Sequence, residues 1–273
     1  MRPQRQVRRS YTRPVYGRRR ANVVKRSRPK VPTFRVTSGV IKLMAAIVAL
    51  LALLVVFAQF TKLEKITISG AEDLDKEHLQ RVAEEGARSQ WFGRNTLLLS
   101  TGSLSDYMIE AEPGLKEVKI DRQGLNSINI VIAERQPTLN WKAGGTTYLL
   151  DLDGTVIGES KGPYVKLPTV TDSTNLPVEA GKRVAPSSFV SFCAGMYKRL
   201  PEAGVKPVDM IVPETTTEVN FKTDKGYLIK MDTTRTVEGE LNDLKAVQEE
   251  LAKAKKVPAE YIDLRIENKA YYK

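Results

Sequence analysis

Residues 43–60 read LMAAIVALLALLVVFAQF, 18 positions without a charge in a chain of 273 residues. At about 1.5 Å per residue such a helix covers roughly 27 Å, close to the hydrocarbon thickness of a bilayer. Val40 and Ile41 can extend it while Lys42 snorkels to the headgroups. A core helix of a soluble domain rarely lacks a polar face all round. A cleaved secretory signal has a shorter apolar stretch and a small-residue cleavage site, which Phe57-Ala58-Gln59-Phe60 does not offer. The sequence therefore predicts an uncleaved transmembrane helix over 43–60.

Charge orients that helix. Residues 1–42 hold 14 of the 43 Lys and Arg and no acidic residue, and Glu64 is the first acid in the chain. The remaining 29 basic residues face all 32 acidic ones, so the net charge of +11 sits entirely before the span. Basic excess stays in the cytoplasm, which predicts a single-pass type II protein of the cytoplasmic membrane with residues 61–273 outside the cytoplasm. Pro3, Pro14, Pro29 and Pro32 interrupt a segment with few apolar residues, so 1–42 is expected to be a disordered cytoplasmic tail. Within it, Arg18, Arg19, Arg20, Lys25 and Arg26, together with Lys42, are expected to lie on anionic headgroups, which attract juxtamembrane cations at about 1 kcal/mol each. That account covers the tail without a nucleic-acid partner, although Tyr11, Tyr16 and Phe34 interleave with the arginines.

One His and one Cys exclude a Cys/His zinc site and an internal disulfide. Any histidine catalysis would have to use His78, which falls near the first turn of a helix, where a surface or capping role is the ordinary one. Neither a nucleophile–base pair nor a phosphate-cradling glycine loop is present, and no catalytic residue, metal or cofactor is expected.

Beyond the span, alternating apolar residues at 63–69 predict a strand ended by Gly70. A helix follows with Asp75 as N-cap, Leu74 and Leu79 as its hydrophobic staple, and Leu79, Val82 and Ala83 as its stripe. A second helix is predicted from Ser103, with Ser103-x-x-Asp106 as a capping box, stopping before Pro113-Gly114. Val118 and Ile120, then Ile128, Ile130 and Ile132, form two strands around a turn at 124–126. The order strand, helix, helix, strand, strand implies a small α+β unit over 61–136.

Residues 137–273 read as a mainly antiparallel β domain with packed helices. Phe189, Phe192, Cys193, Met196 and Leu200 share one helical face, and Val237, Leu241, Leu244, Val247 and Leu251 share another. Strands are predicted at 208–212, 218–222 and 227–232. A final strand over 260–266 should place Ile262, Leu264 and Ile266 inward.

The strand–helix–helix–strand–strand unit directly after one span, whose last strand closes in Ile132-Ala133-Glu134-Arg135-Gln136-Pro137, resembles the POTRA domain of the FtsQ/DivIB cell-division family. Two later segments, Tyr148-Leu149-Leu150-Asp151-Leu152-Asp153-Gly154 and Tyr261-Ile262-Asp263-Leu264-Arg265, are similar to that family's β domain. The resemblance covers about residues 43–273. It implies a non-enzymatic scaffold of the bacterial divisome at the division septum. Such a scaffold binds small bitopic partners of the FtsB/DivIC and FtsL kind and helps recruit and regulate septal peptidoglycan synthesis. A C-terminal strand at a sheet edge could accept a partner strand, which makes Tyr261, Asp263, Arg265, Ala270, Tyr271 and Tyr272 the expected partner site.

Two alternatives come from other classes. Leu150-Asp151-Leu152-Asp153-Gly154-Thr155 has the form of a haloacid-dehalogenase-type phosphatase loop, which would make the chain an extracytoplasmic Mg-dependent phosphatase using Asp151 and Asp153. Prolines and glycines downstream leave no crossover helix, and Asp153-Gly154 reads instead as the centre of a type I′ hairpin turn. On that reading, asparagine at both Asp151 and Asp153 should leave function largely intact. A POTRA-type translocation chaperone is the other alternative, but no barrel-forming strands follow.

Overall fold

The protein is described here by a computed structural model covering residue 12 and residues 37–160, 166–174, 176–267 and 269–273. Arg18, Arg19, Arg20, Lys25 and Arg26 lie outside the described residues, as does nearly all of the basic tail. Helix α1 (Ser38–Phe60) begins before the charge-free run and takes in Lys42. None of its residues is buried, and its apolar side chains are exposed all round, the surface that a bilayer core would cover. The chain divides into two units, residues 1–51 and 52–273.

The second unit first builds a three-stranded sheet. Its elements are β1 (Lys65–Ser69), α2 (Lys76–Ser89), α3 (Thr101–Ala111), β2 (Leu115–Gln123) and β3 (Ser127–Glu134). Strand β3 is central, parallel to β1 and antiparallel to β2. Asp75 caps α2 by accepting a hydrogen bond from Glu77 N at 3.0 Å, as its position before the apolar stripe predicts. Helix α3 starts earlier than Ser103, because Ser100 takes the N-cap role and its Oγ accepts from Ser103 N at 3.3 Å. Leu79 and Ala83 of α2, with Leu104 and Met108 of α3, close over Ile128, Ile130 and Ile132.

A nine-stranded sheet follows, built from β4 (Pro137–Ala143), β5 (Thr146–Asp151), β6 (Val156–Glu159), β7 (Thr169–Asp172), β8 (Pro207–Val212), β9 (Glu218–Thr223), β10 (Leu228–Asp232), β11 (Tyr261–Asp263) and β12 (Tyr271–Tyr272). Their order across the sheet is β12-β11-β10-β9-β8-β7-β4-β5-β6. Pairing is mostly antiparallel, with parallel joins at β4–β7, β7–β8 and β10–β11. Parallel neighbours need a crossover. Helix α4 (Ser187–Arg199) supplies one between β7 and β8, and α5 (Val237–Lys253) supplies one between β10 and β11. Phe189, Phe192 and Met196 of α4, with Leu241, Leu244 and Leu251 of α5, bury against Phe221, Ile229 and Met231 of the sheet. Cys193 lies within this core, and burial pushes its thiol well above the ordinary range, so it packs as a small apolar side chain. The architecture is the expected α+β one: an apolar helix, a βααββ unit, and a mixed, mostly antiparallel sheet with helices packed on it.

The hairpin between β5 and β6 forms, but not through a type I′ turn. Gly154 N donates to Asp151 O at 3.1 Å, so the turn's central residues are Leu152 and Asp153, and only Gly154 adopts positive φ, +76°. Glycine is required there twice over: a Cβ would also lie 1.9 Å from the Ala185 carbonyl oxygen.

Candidate protein-interaction edge

The large sheet ends at β12, and the residues expected to bind a partner gather around that end in a different order from the one the sequence suggested. The final strand does not run to residue 266. Strand β11 is confined to Tyr261–Asp263 and is paired on both sides, parallel to β10 and antiparallel to β12. The free edge therefore belongs to Tyr271 and Tyr272. Ile262 and Leu264 are fully buried as expected, but Ile266 is exposed.

Side chains account for the short strand. Arg265 Nε and Nη2 fork onto the Asp263 carboxylate at 2.9 and 2.6 Å, and Nη1 reaches Glu218 of β9 at 2.8 Å. The Arg265 hydrogen bond holds the Asp263 carboxyl below its usual range. Arg265 N itself donates to Asp263 Oδ1 at 3.2 Å rather than to a neighbouring strand, so the chain leaves the ladder there. Asp263 and Arg265 are thus committed to one another and fix the strand's end. Tyr261 sits under Lys230, whose Nζ lies 4.3 Å from the ring centroid.

At the edge, Lys273 N donates to Tyr261 O at 3.1 Å, and Asp263 pairs with Tyr271. Antiparallel strands direct alternate residues to opposite sides, so Ala270 and Tyr272 present their backbone N–H and C=O groups to the open side. Both tyrosine side chains are about half exposed. Beside them runs a cleft of about 360 Å³ between α5 and β12, lined by Val247, Leu251, Ala254, Ala270 and Tyr272. An unpaired strand beside an apolar cleft is the geometry that strand addition uses: backbone groups give affinity and the cleft takes alternate side chains.

The other end of the chemistry lies where the two sheets join. Glu134, at the end of β3, receives hydrogen bonds from the backbone N–H groups of Glu72, Asp73 and Leu74 at 2.9 to 3.2 Å. Partial burial opposes its ionisation, but these three donors win and hold its carboxyl below the usual range. The next residue, Arg135, donates through Nη1 to Asp151 Oδ2 at 2.5 Å, and Asp151 Oδ1 accepts from Thr155 N at 2.9 Å. Asp153 pairs with Lys116 of β2 at 2.9 Å. The Glu134-Arg135-Gln136-Pro137 segment is therefore a clamp: its acid ties down the β1–α2 loop and its arginine anchors the hairpin of the next sheet. Both aspartates of the phosphatase-like motif are held in ion pairs. Asparagine at Asp151 would take from Arg135 its buried counterion, so at this position the side chain does more than shape a turn. His78 is exposed and lies 3.3 Å from Glu112. Among the described residues, no cluster of three or more His, Cys, Asp or Glu side chains could hold a metal ion.

Parts of the chain are similar to known cell-division proteins. A family model of the C-terminal domain of cell division protein FtsQ/DivIB matches residues 139–265. Cell division protein FtsQ of Chloroflexus aurantiacus is 26% identical over 151 residues, and that of Chloroflexus aggregans is 28% identical over 184 residues. Over residues 139–265 the chain is similar to the FtsQ/DivIB family. The matches cover 55% and 64% of this chain and 52% and 61% of those relatives, so the chain spans between half and two thirds of the curated FtsQ proteins it matches. The extracytoplasmic domain of DivIB from Geobacillus stearothermophilus aligns over 44% of this chain and 97% of its own, at 13% identity and a TM-score of 0.29. The matched region runs from β4 to Arg265 and so holds the clamped hairpin, both core helices and β11, while β12 lies beyond it. Sequence reasoning included Tyr271 and Tyr272 but put the edge strand at 260–266, which is paired on both sides, and it missed the clamp partners, since nothing in the spacing of Arg135 and Asp151 marks them as neighbours.

Proposed function

We propose that this protein is a member of the FtsQ/DivIB family and a single-pass, non-enzymatic scaffold of the divisome. It is anchored by α1 with its N-terminus in the cytoplasm and acts at the septum, where it helps recruit and regulate peptidoglycan synthesis. Its β domain captures small bitopic division proteins of the FtsB/DivIC and FtsL kind by adding one of their strands to β12. The observation that carries this reading is the open backbone of Ala270 and Tyr272 beside the α5 cleft. Tyr271 and Tyr272 supply the aromatic anchors, and Tyr261, Asp263 and Arg265 hold the strand on which that edge is built.

Tyr272→Pro is the direct test, since it removes an outward donor while Tyr271 and Lys273 keep the inward bonds to β11. The variant should retain its melting temperature and lose partner capture in a pull-down. Tyr271→Ala should weaken capture roughly thirty-fold, the equivalent of about 2 kcal/mol for an interfacial aromatic anchor. Capture that survives Tyr272→Pro would place the partner elsewhere on the sheet. Orientation has its own check: a reporter active only outside the cytoplasm should work when fused after Lys273 and fail when fused before Met1. The opposite pattern would reverse the topology.

A further inference from the structure

The loop between α2 and α3 carries four large apolar side chains in the open. Trp91 is 92% exposed, Phe92 57%, Leu97 42% and Leu98 59%. Elsewhere in the described part of residues 61–273, exposed large apolar side chains are scattered, apart from the tyrosines of β12. Scattered exposure is ordinary, whereas a contiguous patch marks a contact surface.

The loop is not loose. Gln90 bonds both backbone groups of Ser100, closing its base at 2.8 and 3.1 Å. Arg122 of β2 donates to the carbonyls of Thr96 and Leu99 at 2.8 and 2.7 Å, and Leu99 is buried in the small core. Gly93 lies so close to the last turn of α2 that any Cβ would overlap the Ala87 carbonyl oxygen. The aromatic pair, with ring centroids 6.4 Å apart, is thus presented outward by a fixed backbone.

What lies beside the patch identifies its occupant. Thr96 N donates to Thr61 O at 2.8 Å, Asn95 Nδ2 to Thr61 Oγ1 at 2.7 Å, and Leu63 N to Arg94 O at 2.8 Å. Thr61 directly follows the last residue of α1, and Ala58 and Gln59 line a cleft together with Trp91, Phe92 and Leu98. The patch is therefore pinned at the level where α1 ends, with exposed Lys62 and Arg94 at its margin. Tryptophan flanked by cations at the end of an apolar helix is the composition of a membrane–water interface.

We propose that the Trp91–Leu98 loop inserts into the headgroup–acyl boundary of the leaflet from which α1 emerges, so that the βααββ unit rides on the bilayer surface. The proposal rests on α1 spanning the membrane, but it holds for either orientation of that helix. The full chain in phosphatidylethanolamine–phosphatidylglycerol nanodiscs tests it, with Trp91 emission taken as the difference between the chain and its Trp91→Phe variant, which keeps the buried Trp141. Trp91 should emit at a blue-shifted wavelength. It should be quenched several-fold more by lipids brominated near the headgroup than by lipids brominated at the chain end. Phe92→Ser with Leu98→Ser should shift it red and open it to aqueous iodide. Emission at the water-exposed wavelength, freely quenched by iodide while the chain stays membrane-bound through an alkaline wash, would overturn this inference and leave the span intact. Emission shielded from iodide yet unaffected by either bromolipid would mean that a second copy of the chain covers the loop, and would also overturn it. Release by the alkaline wash would overturn both the span and the loop assignment.

Discussion

Replacing Arg235 by methionine should cost about 3–5 kcal/mol of stability, the usual consequence of removing one partner of a buried ion pair. Glu240, in the first turn of α5, is fully buried, and Arg235 Nη1 meets its Oε1 at 2.9 Å. The same Nη1 donates to the Leu264 carbonyl at 3.0 Å, and Nη2 reaches Asp243 at 2.6 Å. One guanidinium therefore joins the end of β10, the start of α5 and the exit from β11. Glu240 Oε2 has no hydrogen-bond partner among the described residues, and Oε1 would keep only the Asp232 N–H at 3.3 Å, so without Arg235 the buried carboxyl must either stay charged without a counterion or take up a proton. Urea unfolding followed by Trp141 emission, in a Trp91→Phe background, measures the loss; a change below about 1 kcal/mol would show that the pair is not what holds this corner.

Glu240 also gives stability a pH dependence. Burial pushes its carboxyl from the ordinary 4.5 up to about 7, with Arg235 pulling in the opposite direction. A group with a raised folded value holds its proton more tightly when folded. Its contribution is therefore most favourable below about 4.5, declines as pH rises towards about 7, and is constant above that. Without Arg235 the decline should continue to higher pH, because the cation that favours ionisation is gone.

The second large effect is at the clamp. Asp151→Asn should destabilise the chain by about 3 kcal/mol, because Arg135, its side chain only 13% exposed, would be left without its counterion. Removing the arginine as well, as Arg135→Met, should recover part of that loss, and a double-mutant cycle would report the coupling. Asp153→Asn should change stability by no more than about 0.5 kcal/mol, since its pairing with half-exposed Lys116 is a surface one. That asymmetry bears on the phosphatase alternative, which requires both carboxylates equally. Independent, additive losses at Arg135 and Asp151 would remove the clamp from consideration.

Periodicity exposed most of the fold because the elements that matter are strongly patterned. Ile128, Ile130 and Ile132 alternate, and the stripes of α4 and α5 repeat at helical spacing, so their burial follows directly from position. Legibility fails where a local rule is overridden from a distance. Asp153-Gly154 has the residues of a type I′ turn, yet the Ala185 carbonyl and the Arg135–Asp151 pair select a different turn. Residues 264–266 continue the alternation of β11, but Arg265 is drawn off by Asp263 and Glu218. The interfacial loop escaped because Trp91 and Phe92 fall between two helices, where apolar residues carry no periodic signal.

Strand β7 is the join between the two halves of the large sheet. On one side, β4, β5 and β6 form a meander of local hairpins; on the other, β8, β9 and β10 form a second. Only β7, four residues long and parallel to both neighbours, joins them, pairing Trp141 with Val170 and Val170 with Met210. Closing those pairs means bringing together segments far apart in the chain, which is the slow part of folding. The pairings within each meander are local in sequence, and the sheet is one body only through Thr169–Asp172 between them. Nascent chains that have not yet emerged beyond β7 would therefore expose β4 as a temporary open edge.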